Sequence, residues 1–205
     1  MNLDVCILAG GRGTRLRGVW DGPKCLVTVH DGRPVIEHLT NRALLLLPRR
    51  VFLLLGHGAD QVIEWRRCCC PHRDVLTIPG LVFGTANAVC AAIDHTEMLL
   101  DVPAPLLVLN GDTLPLYDLA ALVSYHEQRR STWITAAFRH DSEAWRDVYA
   151  GACVLSVAAQ REIRADERTR DFPAHLLGAQ RFMVPGFLDV GTPEGFQRAK
   201  EWRNE

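Results

Sequence analysis

The chain has 205 residues, enough for one sizeable domain, and its 48 % hydrophobic and 23 % charged residues point to a soluble globular core. A formal net charge of -1 excludes a general nucleic-acid binder, which carries a strong positive balance. No apolar run approaches the roughly 20 residues of a bilayer-spanning helix, so no membrane association is expected.

In chain order, an apolar strand is expected over residues 3–8. It follows the first residues too directly to leave room for a secretion signal. A glycine-rich turn with Gly10, Gly11 and Gly13 comes next, and Pro23-Lys24 lies beyond it. Asp31-Gly32 is a turn, after which Pro34 suits the first position of a helix over 35–46. Further strands are expected at 50–55, 75–78 and 105–109, with helices at 59–67 and 85–93 between them. Asp118 is placed to cap a helix over 119–129. Strands at 132–138, 150–155 and 181–184 follow. Thr192-Pro193-Glu194 reads as an N-cap, a first-turn proline and a first-turn acid, opening a helix that runs to about residue 202.

Strand–helix alternation in the first half predicts a parallel sheet with helices on both faces, with an antiparallel extension from the less regular second half. Ligands of such sheets bind at the carboxyl ends of the strands. The residues just after Leu8, Leu55, Ile78 and Leu109 should therefore face one site. The seven cysteines follow no disulfide framework. Cys68, Cys69 and Cys70 are adjacent and His72 follows, a spacing that suits neither a disulfide nor a zinc site. Reduced thiols in a cytoplasmic protein are expected.

Glycines after a strand let the backbone approach a ligand, and their amides can form an anion nest. Arg12 and Arg15 add guanidinium forks suited to phosphate. The G-G-x-G spacing is neither the dinucleotide fingerprint nor the P-loop. A phosphate cradle and a plain tight turn both remain open at this point. Asp112, after the strand ending at Leu109, has two readings as well: cap of the next turn, or ligand of a divalent cation. His30, His57 and His126 read as surface or capping residues, although His57 in "LGHG" falls on the predicted ligand edge.

Taken together, "LAGGRGTRLRG", "GPKCLVTV" and "GRPVIEHL" resemble the sugar-1-phosphate nucleotidyltransferases (sugar nucleotide pyrophosphorylases). Among these, the pattern is closest to the short guanylyltransferases acting on D-glycero-D-manno-heptose 1-phosphate. The resemblance implies one domain over residues 1–205 and a three-layer α/β/α Rossmann-like fold with a mostly parallel central sheet. It implies a nucleotide site at Leu8, Ala9, Gly10, Gly11, Arg12, Gly13, Thr14, Gly84 and Thr85. Arg15, Lys24 and Asp112 become catalytic, and Asn110, Gly111 and Gly151 contact the acceptor. "NGDT" and the terminal "DVGTPE" supply Asp112 and Asp189 as ligands of Mg²⁺ or Mn²⁺.

The reaction so implied transfers a nucleoside monophosphate from GTP, CTP or UTP to a sugar or cyclitol phosphate and releases pyrophosphate. A monomer or homodimer is expected, without nucleic acid. Two departures stand out. The segment before Thr85 carries no acid or glutamine, and no E-K-P occurs, so Arg139, Arg146 and Arg161 are candidates for the missing acceptor-side cation. Two rival readings are a nucleotidyltransferase for a non-sugar acceptor and a non-catalytic nucleotide-sugar binder.

Overall fold

The structure is a computed structural model, and it describes residues 2–79, 85–99, 102–129, 133–165 and 176–201. Seven strands form the main sheet: β1 (Asp4–Leu8), β2 (Arg50–Leu54), β3 (Val75–Ile78), β4 (Leu106–Asn110), β6 (Ile134–Asp141), β7 (Arg146–Leu155) and β8 (Gln180–Met183). Their order is β3-β2-β1-β4-β7-β6-β8. The β3-β2-β1-β4 half is parallel, β7 runs antiparallel to β4 and β6, and β8 is parallel to β6. Two short strands, β5 (Thr113–Pro115) and β9 (Phe187–Asp189), pair antiparallel as a separate ribbon.

Helices cover both faces, as the alternation predicts. On one face α1 (Val35–Leu44), α2 (Ala59–Cys69), α4 (Leu119–Gln128) and α6 (Pro193–Glu201) share a core with the ribbon. The other face holds α3 (Thr85–Leu99) and α5 (Val157–Ala165). Helix α1 shows the logic: Val35, Ile36, Leu39 and Ala43 recur at helical spacing and are fully buried. In α3 the small Ala86 and Ala92 let the helix lie close on β1 and β2.

Several boundaries differ from the sequence reading. Pro34 is the N-cap of α1 with an extended backbone (ψ 154°), rather than its first helical residue. Asp118 does cap α4, accepting from the Ala120 amide at 2.8 Å. Thr192 caps α6 through its hydroxyl, 3.0 Å from the Gly195 amide. His126 is no surface residue: it is buried between α4 and β6 with Nδ1 2.9 Å from Thr135 Oγ1, and burial lowers its pKa. All seven cysteines are free thiols, and among the described residues no helix is long and apolar enough to cross a membrane.

The floor of the sheet is tied by one ion pair. Asp4, fully buried at the start of β1, receives Nε of Arg49 at 3.0 Å and its Nη2 on the other oxygen. Arg49 Nη1 also donates to the Val102 carbonyl, so one guanidinium links the amino ends of β1, β2 and β4. Removing one partner of a buried pair strands the other charge. Asp4→Ala is therefore expected to lower stability by about 3 kcal/mol or more, read from the urea unfolding midpoint.

Candidate active site

The strand order reverses between β2 and β4 around β1, which opens a crevice at the carboxyl edge. A cleft of about 770 Å³ lies there, walled by the ends of β1 (Leu8 to Arg12), β2 (Leu54 to His57) and β4 (Asn110 to Asp112), with Lys24, Cys25, Thr85 and Ala88. Three of the four strand ends named from sequence thus meet in one place. The fourth, after Ile78, runs into residues 80–84, which lie outside the described residues; Gly84 is among them.

The glycine turn is held backbone to backbone. Ala9 donates to the Leu54 carbonyl at 2.9 Å, and Gly10 accepts from the His57 amide at 3.1 Å. A Cβ on Gly56 would stand 2.6 Å from the Gly10 carbonyl oxygen, so this crossing admits only glycine. The amides of Gly10, Gly11 and Gly13 donate to no described residue; Gly10 and Gly11 line the cleft, and Gly13 is buried outside its wall. Open amides in a turn are suited to phosphate oxygens. Lys24 runs alongside, its Cε 3.6 Å from where a Gly11 Cβ would be.

At one end of the cleft three charges converge. Lys24 Nζ donates to Asp112 Oδ2 at 2.6 Å. The β5–β9 ribbon pairs Thr113 with Asp189, and the Val190 amide reaches the Asp112 carbonyl at 2.8 Å. The Asp189 carboxylate is oriented by the Gly191 amide, 2.7 Å from its Oδ1. A Cβ on Gly191 would lie 2.7 Å from Asp112 Oδ2, 2.9 Å from Asp189 Oδ1 and 3.1 Å from Lys24 Nζ. One point thus touches both carboxylates and the ammonium. Two partly exposed carboxylates, Asp112 on the cleft wall and Asp189 beside it, are a donor set that fits Mg²⁺, which takes one or two carboxylates plus phosphate and water oxygens. Among the described residues no group of three His, Cys, Asp or Glu side chains could hold a metal.

Other residues named from sequence fall elsewhere. Thr14 and Arg15 sit on an exposed one-turn helix past the glycine turn, outside the cleft wall. Gly151 is not on the wall either; it packs against Thr113, where a Cβ would come within 2.6 Å of that side chain. Of the three candidate arginines, Arg139 lies over the Phe187 ring (5.8 Å), two residues from Asp189. Arg146 is at the exposed start of β7, and Arg161 is on α5, against the opposite face. Leu54, Cys25 and Gly191 were not singled out from sequence. Burial pushes the Cys25 thiol up to about 12, with the Asp112 charge adding to it, so it stays neutral beside the glycine turn.

Residues 5–179 match the MobA-like NTP transferase domain family. The chain belongs to that family. The bifunctional protein GlmU of Methylibium petroleiphilum is 37 % identical over 207 residues, covering 96 % of this chain and 43 % of the relative. GlmU of Cellvibrio japonicus is 37 % identical over 121 residues, 58 % of this chain and 24 % of the relative. The chain spans less than half the length of these curated relatives.

Solved structures share the fold. HddC from Yersinia pseudotuberculosis superposes with a TM-score of 0.74 at 24 % identity, covering 97 % of this chain and 98 % of that one. The same protein complexed with GMP-PN gives 0.76 at 23 % identity, with the same coverage. UDP-glucose pyrophosphorylase from Acinetobacter baumanii gives 0.76 at 14 % identity, covering 97 % and 92 %. The resemblance read from the glycine turn therefore holds at the level of family and fold, and this NTP transferase domain has the mixed sheet expected of it.

In this NTP transferase domain, Gly191 is the residue that keeps the three charges apart from a side chain. Gly191→Ala is expected to retain the far-UV spectrum and melting temperature, and to lower nucleotidyl transfer by about 10²-fold through misplacement of the carboxylates. Initial rates of pyrophosphate release alongside a thermal melt check it.

Proposed function

We propose that this domain transfers a nucleoside monophosphate from a nucleoside triphosphate, GTP by preference, to a sugar 1-phosphate, giving a nucleotide sugar and pyrophosphate. The observation that carries the reading is the convergence of Lys24, Asp112 and Asp189 at the end of a row of open amides. The sugar acceptor draws support from the name of UDP-glucose pyrophosphorylase, a protein with the same fold, and the guanine preference from the GMP-PN complex of another. A heptose 1-phosphate is the first acceptor to test.

In this reading an oxygen of the acceptor phosphate attacks the α-phosphorus, the bond to the β-bridging oxygen breaks, and pyrophosphate leaves. The acceptor phosphate is already ionised, so no strong general base is required. Catalysis rests on position and charge. Amides of Gly10, Gly11 and Gly13 hold the triphosphate, with Arg12 beside them and Arg15 reaching the leaving phosphates. Lys24 trades Asp112 for the α-phosphate and stabilises its growing charge. Arg139 meets the acceptor from the far side of Phe187. Asp112 and Asp189 would hold a divalent cation, Mg²⁺ or Mn²⁺, which when bound supplies Lewis-acid neutralisation of phosphate charge.

The second reading keeps the donor and changes the acceptor to a cyclitol phosphate, alcohol phosphate or phosphonate. The family description favours it to this extent: it names an NTP and no acceptor. Four NTPs crossed with a panel of such phosphates, read by pyrophosphate release, separate the two. With the best pair, Lys24→Ala and Asp112→Asn are each expected to lower kcat by about 10²–10³, the usual loss for one electrostatic contact in the transition state. Parental rates in either variant would remove that residue from the mechanism.

A further inference from the structure

The geometry gives the donor a direction. The reacting corner lies at the β4 and β9 end of the cleft, and the open amides follow β1. A triphosphate laid over those amides, with its α-phosphorus at Lys24, leaves the base for the opposite end. That end is bounded by β2 and α3, with Leu8, Leu54 and Ala88 as apolar walls. Such walls suit the faces of a flat ring and do not tell one base from another. Discrimination needs polar groups aimed at the ring edge.

Few such groups are available. Among the described residues at that end, Thr85 on α3 is polar and already has a partner. His57, just after β2, is the other polar side chain there. Its ring is exposed, borders the cleft, and has no hydrogen-bond partner among the described residues. Its backbone, by contrast, is fixed. The amide donates to Gly10 at 3.1 Å, Gly56 crosses Gly10 without room for a side chain, and Gly58 packs against Pro23. The imidazole is thus carried on a rigid mount attached to the phosphate turn itself, at a set distance from the triphosphate.

We infer that His57 hydrogen-bonds the edge of the donor's base and sets which nucleoside triphosphate is accepted. This rests on the nucleotidyltransferase reading for its donor and goes beyond it in naming the specificity residue. Guanine offers O6 and N7 as adjacent acceptors for an imidazole N–H, whereas adenine places an amino donor where O6 stands. A ring donor aimed at that edge therefore favours guanine.

The test measures equilibrium binding of GTP, ATP, CTP and UTP, and kcat/KM for each, in the parent, His57→Ala and His57→Phe. The second variant keeps an aromatic ring and removes its N–H. Both are expected to shrink the GTP-over-ATP ratio about five- to tenfold, the worth of one net hydrogen bond. Lys24→Ala is expected to weaken all four nucleotides alike. An unchanged ratio, an equal loss across the four bases, or a parent that binds all four equally overturns the assignment. If the parent binds nucleotides but transfers none to any acceptor, the transfer reading fails while the binding ratios still decide His57. If it binds none, both fail.

Discussion

The pairing of β5 with β9 sets Thr113 opposite Asp189, and the convergence of Lys24, Asp112 and Asp189 depends on that register. Asp112 is the residue before the pair, and the Val190 amide closes onto its carbonyl. Two carboxylates distant in the chain are thereby fixed on either side of Lys24. The ribbon is only three residues per strand, too short to be stable alone. It is held from outside: Leu114 and Leu188 are buried in the core with α1 and α6, and Arg42 of α1 donates to the Pro115 carbonyl.

A second constraint joins the glycine turn to the same frame. The turn after β1 and the turn after β2 cross at Gly10 and Gly56 with backbone in contact. Pro23 packs on Gly58, and the indole of Trp20 donates to the Pro23 carbonyl at 3.1 Å. Lys24 therefore starts from a position fixed by the β2 turn and ends on a carboxylate fixed by the ribbon. Positioning of this kind is what a reaction needing no strong base draws on.

The flank of the cleft beyond β4 is built differently. The starting half of β7 and the closing half of β6 extend past the carboxyl end of β4, since Leu109 already pairs with Ala152. A register shift between Ala136 and Phe138 turns this overhang and puts Arg139 on the ribbon's face. A regular parallel half and a less regular overhang match the sequence, in which the matches to the nucleotidyltransferase pattern are dense up to Lys24 and sparse between residues 132 and 186.

The sequence by itself determined the four parallel strands, the glycine turn, Lys24 and Asp112, because each is written locally: an apolar run, then a residue type whose chemistry is set by standing at a strand's end. It also marked the caps at Asp118 and Thr192, which depend on neighbours within three residues. Tertiary structure alone decided the ribbon, the Gly10–Gly56 crossing, the cradle at Gly191, the stacking of Arg139 over Phe187 and the burial of His126. These rest on contacts between segments far apart in the chain, and strands of three residues carry no periodicity to read. Asp189 shows the division plainly: the terminal motif supplies the carboxylate, and only the β5–β9 register brings it to Asp112.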